Sequence, residues 1–349
     1  MLRRTQPRKG REMLDRRDDV ATRERADTAR SRSGSVVDLL NRAATRMPVP
    51  IMLAGAVCVA LSSVFVPLAH VSTGTVTLFR SLLSMPFLIP MALSEARTAA
   101  ARRPNSRWMA YTAGVLLAGD ILLWNQAIAD SGAGIATVIV NAQVILVPLL
   151  GWIFLRERPT AAFAAVVPVM LAGVALAGGV VGGGSGKNPT QGAIFAAAAA
   201  LCYAGFLFLL RQASDADHIV VPVTESAAAS GVVALLVGPF WHGLNLLPGW
   251  PAFGWLAAIA LAGQVASYLL IASALPRMSA SVGAALLLLQ PVGSVLLGAV
   301  ILGERPTLLQ LGGCAVVLVA LYLATLAARR GDSGDDQTDR SETESHQSS

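Results

Sequence analysis

Residues 142–160 read AQVILVPLLGWIFLRERPT, and residues 289–307 read LQPVGSVLLGAVILGERPT. At an offset of 147, Gln143 matches Gln290, Gly151 matches Gly298, and Glu157-Arg158-Pro159-Thr160 matches Glu304-Arg305-Pro306-Thr307. Upstream the offset is 144, where Leu117-Ala118-Gly119 matches Leu261-Ala262-Gly263 and Cys58 lies opposite Cys202. The chain therefore contains one internal repeat. What separates the matched stretches decides which kind of repeat it is.

Apolar runs of about 20 residues recur between them, each bounded by a short polar break. About 20 residues rising 1.5 Å each cross a 30 Å hydrocarbon core, and lipid tolerates only helices or closed barrels. The pattern predicts spans over 49–70, 75–94, 108–129, 134–155, 161–182, 191–211, 219–241, 252–275, 280–302 and 307–328. Span 1 then corresponds to span 6, span 4 to span 9 and span 5 to span 10. Five spans per repeat is an odd number, so the second repeat enters the membrane in the opposite sense. The expected fold is an all-α integral membrane protein of ten transmembrane helices, arranged as two inverted five-helix repeats. Residues 49–182 form the first repeat and 191–328 the second, with a Gly-rich outer linker over 183–190.

The composition excludes a water-soluble globule. Of 349 residues, 54% are hydrophobic and 14% charged, where a soluble domain carries roughly 25% charged residues. Of 27 Lys+Arg, 13 lie in residues 1–48 and 3 in 329–349, leaving 11 for the 280 residues between. The net charge of +6 comes from the amino-terminal stretch and describes no nucleic-acid-binding face. Residues 1–48 read as a disordered basic cytoplasmic tail suited to anionic headgroups, and 329–349 as a disordered acidic tail. No apolar run follows the first arginines, as a cleaved signal would require. Cys58, Cys202 and Cys314 sit in apolar runs and read as small buried hydrophobes. No metal or other cofactor is expected, because none of the four histidines has a ligand partner at helical spacing.

Basic residues orient the chain. With the amino terminus inside, the inner connections hold Arg97, Arg102, Arg103, Arg107, Arg156, Arg158, Arg211 and Arg277, and the outer ones only Lys187 and Arg305. That bias predicts a multi-pass protein of the cytoplasmic membrane with both termini in the cytoplasm.

An apolar run closing in LRERP or LGERP, found at the ends of spans 4 and 9, resembles the paired EamA repeats of the drug/metabolite transporter superfamily. The likeness covers about residues 50–326. The stretch GDILLWNQAIADSGAGIATVIVNAQVILVPLLGWIFLRERP resembles bacterial members with an Asp in helix 3 and an Asn in helix 4. It implies a ten-helix carrier of small metabolites, often an exporter, with no ATPase of its own. The second repeat departs from the first in carrying Gln264 opposite Asp120 and Gly303 opposite Arg156.

Asp120 sits about twelve residues into span 3, between apolar turns. An ionised carboxylate there costs several kcal/mol unless paired or wetted. It reads as a proton-coupling group, a contact for a substrate amine, or a structural hydrogen bond. Arg80, some five residues into span 2, could snorkel to the headgroups. Otherwise it binds a carboxylate or phosphate, or pairs with Asp120. Its repeat partner is Glu225, near the cytoplasmic end of span 7. The two would suit gates that close alternately, unless Glu225 simply touches water. Asn125, Gln126, Asn141 and Gln143 form the first repeat's polar set, and Gln264, Tyr268 and Gln290 the second's. Such amides glue helices together or line an aqueous path. Trp124 and Tyr268 could stack on a ligand or merely pack. In the ERPT turns, Glu157, Pro159, Glu304 and Pro306 read as structural: the carboxylates accept nearby amides and Pro suits a first helical turn.

The expected function is a secondary transporter moving a small organic metabolite or drug outward by alternating access, through proton coupling or exchange. A non-transporting sensor or scaffold would leave the inverted repeat without a purpose. A membrane-embedded lipid-modifying enzyme needs a nucleophile with a base, and neither His70 nor His242 shares a span with a matching constellation, so no catalytic residue is expected. The partners expected are a small solute and membrane lipid, with no nucleic acid. Apolar helix faces would serve lipid or a second copy in a homodimer equally well.

Overall fold

The computed structural model describes residues 36–323 apart from 100–101, 132, 158, 160, 178–187, 216, 242 and 304–305. Glu304, Arg305, Arg158, Thr160, Lys187 and His242, most of the linker, residues 1–35 of the first tail and all of the second therefore lie outside the described residues. Among the described residues every element is helical and no strand forms.

Among the described residues, six helices are long and apolar enough to cross a membrane: Pro48–Ala69, Thr73–Arg97, Thr190–Ala213, Val220–Trp241, Ala252–Arg277 and Ala280–Ile301. Gln143–Leu155, Phe163–Ala177 and Leu308–Leu323 are apolar but shorter. In chain order the helices are α1 (Val36–Arg46), α2 (Pro48–Ala69), α3 (Thr73–Thr98), α4 (Ser106–Ser131), α5 (Ala133–Val140), α6 (Gln143–Leu155), α7 (Ala161–Ala177), α8 (Pro189–Ala213) and α9 (Val220–Trp241). There follow α10 (Ala252–Ala260), a π-helical segment (Leu261–Ala266), α11 (Ser267–Ala274), a 3₁₀ turn (Leu275–Arg277), α12 (Ala280–Leu287), α13 (Leu289–Ile301) and α14 (Leu308–Leu323). The chain is a multi-pass membrane protein.

Three local departures from the sequence expectation carry meaning. First, residues 36–46, expected without structure, form α1. Its Leu40 and Ala44, four residues apart, face inward while Arg42 and Arg46 stay exposed, a period diluted in the sequence by the polar residues preceding it. Second, the runs 134–155 and 280–302, expected as continuous, are each broken at the same repeat position. One breaks at Asn141-Ala142 just before Gln143, the other at Leu288 just before Gln290. Asn141 Nδ2 donates to the Thr137 carbonyl at 2.7 Å, competing with the backbone ladder. Pro291 has no N–H to offer the carbonyl four residues earlier. Third, the run 252–275 contains the π-helical segment, and such segments leave a carbonyl free for outside donors.

The two repeats are interleaved. Helix α4 packs along α8, α9 packs on α3 and α4, and α2 lies against α10, α11 and α13. Consecutive spans touch far less than these cross-repeat pairs do. The tightest crossing is α4 on α9, where a Cβ added at Gly114 would collide with the Ser226 carbonyl and lie 2.7 Å from the Ala229 Cβ. Gly114→Val should therefore cost more than about 3 kcal/mol by overpacking. It should lower the detergent-solubilised melting temperature or abolish the monodisperse peak. Gly312→Ala, with nothing within 4 Å of the added carbon, should leave stability unchanged or raise it by up to about 1 kcal/mol, since alanine favours a helix interior over glycine. Equal behaviour of the two variants would remove Gly114 from the assembly. Elsewhere an apolar groove of about 370 Å³ runs between α7 and α14, lined by Val166, Val169, Val316 and Val319 among others.

Candidate functional site

Arg80 lies on α3 with its guanidinium turned toward the second repeat. Its Nε donates to Gln264 Oε1 at 3.0 Å and its Nη2 donates to the Gly263 carbonyl. That carbonyl belongs to the π-helical segment and also accepts from Ser267 Oγ at 2.7 Å. Position 263 has room for nothing larger than glycine. An added Cβ would stand 2.5 Å from Ser62 Oγ and 3.4 Å from Arg80 Cζ. The guanidinium also lies over the Tyr268 ring, 5.3 Å from its centre, a cation–π arrangement.

Asp120 reaches the same place from α4. Its Oδ1 is buried and makes no hydrogen bond. Arg80 and Asp120 act on one another electrostatically, and both act on the hydroxyls of Tyr203 and Tyr268. No ion pair joins them. Tyr203, on α8, accepts from Gln290 Nε2 at 2.9 Å. Tyr203, Phe206 and Tyr268 form a continuous aromatic row, with centroids 6.1 Å and then 5.0 Å apart. Gln264 is 1% exposed and its Nε2 has no partner. The cluster thus offers a half-buried guanidinium and carboxylate, together with a spare amide donor and aromatic faces that are buried.

Five of the residues singled out in the sequence meet here: Arg80, Asp120, Gln264, Tyr268 and Gln290. The others are placed elsewhere or bonded locally. Trp124, like Ile128, Ile139, Val140 and Phe195, packs against a separate apolar cluster of Ala127, Ala136 and Ala196. Asn125 Nδ2 donates to the Ile121 carbonyl at 2.8 Å, and Gln126 Nε2 to Asp130 at 2.9 Å. Gln143 is buried with its Oε1 unpartnered. Tyr203 and Gly263 were not singled out. The only sequence signals for them are a lone phenol in an alanine-rich run and a glycine opposite Gly119.

Glu225 belongs to a charged layer at one end of the bundle. Arg102 Nη1 donates to both its carboxylate oxygens at 2.8 Å, and Arg107 Nε approaches Oε1 at 3.4 Å. The Glu95 carboxylate accepts from the backbone N–H groups of Ile219, Val220 and Val221 at 2.7–2.9 Å, an anion on a helix amino terminus. Glu157 of the first ERP turn crosses to the second repeat. It takes Arg211 at 2.8 and 3.1 Å and the Ala280 N–H at 3.3 Å. Pro159 is exposed two residues before α7, and Pro306 stands two residues before α14. Arg156 and Gly303, matched by the repeat, both take left-handed φ values, 58° and 68°.

A multi-pass helical protein whose ionisable residues gather where two interleaved repeats meet has the architecture of a membrane transporter. The chain belongs to the EamA-like transporter family, whose model matches residues 46–179 and again 190–326. It is 27% identical over 226 residues to the uncharacterized transporter YxxF of Bacillus subtilis (strain 168), covering 62% of this chain and 70% of that protein. It is 25% identical over 232 residues to the uncharacterized transporter YwfM of the same strain, covering 65% and 76%. A solved crystal structure shares the fold with a TM-score of 0.66 at 20% identity, over 83% of this chain and 98% of that one.

Proposed function

We propose that this protein is a secondary transporter that exports a small organic solute across the cytoplasmic membrane by alternating access, with Asp120 exchanging protons or solute. In this reading ten spans form two inverted five-helix repeats, 49–182 and 191–328, and both termini lie in the cytoplasm. The charged layer holding Glu95, Glu157 and Glu225 is then the inner end, in keeping with the basic connections there. The observation that carries the reading is the buried Asp120 Oδ1 with no hydrogen bond, facing an Arg80 that is bonded to neutral acceptors. A buried carboxylate oxygen without a hydrogen bond is costly. A proton or the ammonium of a solute would supply the missing contact.

The same charge count favours a solute that carries both an ammonium and a carboxylate. Such a molecule adds no net charge to a site holding one of each, and the aromatic row would take an apolar side group. The test is counterflow into proteoliposomes loaded with a mixture of amino acids, amines and carboxylic acids, read by mass spectrometry. Exchange of dipolar solutes above that of empty vesicles is the expected result. Exchange confined to simple amines would overturn the dipolar reading, and no exchange of any solute would overturn the transporter.

A further inference from the structure

The corner between α1 and the end of the eighth apolar run has a charge imbalance that the transport site does not use. Arg277, in the 3₁₀ turn, donates from Nη2 to Asn41 Oδ1 at 2.7 Å, from Nε to Thr45 Oγ1 at 3.3 Å, and from Nη1 to the Ser273 carbonyl. All three acceptors are neutral. Arg42 and Arg46 each follow one of the α1 acceptors by a single residue. They stand four apart on one helix face and both are exposed. Among the residues whose side chains are described, no carboxylate lies within ion-pair distance of these three arginines; the one acid of α1 is Asp38, four residues before Arg42. Arg102, Arg107 and Arg211, at the same end of the bundle, each hold a carboxylate. The neighbourhood is shared, since Met278, next to Arg277, accepts from Arg211.

The apolar residues of α1 complete the picture. Leu40 and Ala44 pack inward, while Leu39, three residues before Arg42, is 59% exposed and Met47 is 61% exposed. Met47 leaves the helical conformation and Pro48 starts α2, so the chain turns between the two helices. A short helix with arginines beside exposed leucine and methionine, placed where a membrane span begins, has the composition of an interfacial helix.

We propose that this corner is a binding site for the phosphate headgroup of an anionic phospholipid. Arg42 and Arg46 grip the phosphate, Arg277 supplies the third positive charge, and Leu39 and Met47 reach the acyl boundary. Anionic lipid fits because the corner carries three arginines against the single acid Asp38, next to apolar side chains, and a soluble anion would have no use for the latter. The site is independent of the transported solute.

Hydrogen–deuterium exchange of the full chain in lipid nanodiscs tests it, read only on the amides of residues 39–46 so that the basic tail does not contribute. In discs of equal phosphatidylglycerol and phosphatidylcholine, exchange should be slower than in pure phosphatidylcholine by on the order of tenfold. The double variant Arg42→Gln/Arg46→Gln should lose that slowing and match the unmutated chain in pure phosphatidylcholine. Inorganic phosphate added to phosphatidylcholine discs should leave exchange unchanged. Equal slowing in both chains, or none in either, overturns the assignment. Slowing by phosphate alone would make the corner a free-anion site instead.

Discussion

Proteoliposomes carrying Asp120→Asn are expected to lose solute flux by on the order of a hundredfold, with the residual flux indifferent to a pH gradient. The magnitude follows from the chemistry of the site: a hydrogen bond to a charged group contributes about 1.5–3 kcal/mol, and each 1.4 kcal/mol is tenfold. Asn keeps the shape and one carbonyl oxygen but offers no negative charge and no exchangeable acid proton. The protein should still insert and melt as a single species, because Asp120 Oδ1 makes no hydrogen bond that the substitution would break. Neutralising a buried charge can even stabilise the resting state. Flux and pH dependence equal to those of the unmutated chain would remove Asp120 from the transport cycle.

Arg80→Gln is expected to act differently. It should weaken binding of carboxylate-bearing solutes by roughly ten- to a hundredfold, seen as a raised KM, while amines lacking a carboxylate compete as before. It should also lower stability, since it abandons the Gln264 and Gly263 acceptors and leaves Asp120 without the cation that acts on it. Two groups that share one electrostatic site do not act additively. The double variant with Asp120→Asn should therefore melt closer to the parent than the sum of the two single effects predicts. Strict additivity, together with an unchanged preference among solutes, would mean that Arg80 serves only to hold α3 to the π-helical segment.

Much of the fold was legible because the bilayer dictates it. A run of apolar residues long enough to cross hydrocarbon must be helical, and every apolar run marked in the sequence is helical over most of its described length. Asp120 and Arg80 were legible for the same reason, as ionisable groups where lipid permits almost none. Their company was not. Arg80 and Gln264 are 184 residues apart, and their meeting depends on α3 packing against the second repeat. Glu225 could be matched to Arg80 by offset, but its bond to Arg102 depends on how the connection into α4 folds back. The π-helical segment and the paired breaks before Gln143 and Gln290 rest on single residues and tertiary contacts, which periodicity averages away. Glu157 was legible as an acceptor of backbone amides. That the amide belongs to Ala280, in the other repeat, was not.

The interleaving of the two repeats bears on how the protein is made. Helices emerge from the ribosome in order, yet α3 and α4 find their principal neighbours only when α8 and α9 arrive. Until residues 263 and 264 leave the translocon, Arg80 has neither of its acceptors. The first half of the chain must therefore wait in the membrane as loosely held helices, its ionisable groups shielded by the insertion machinery or by water. A chain interrupted after the first repeat would be an unassembled intermediate rather than a half-sized carrier, and a substrate for membrane proteases.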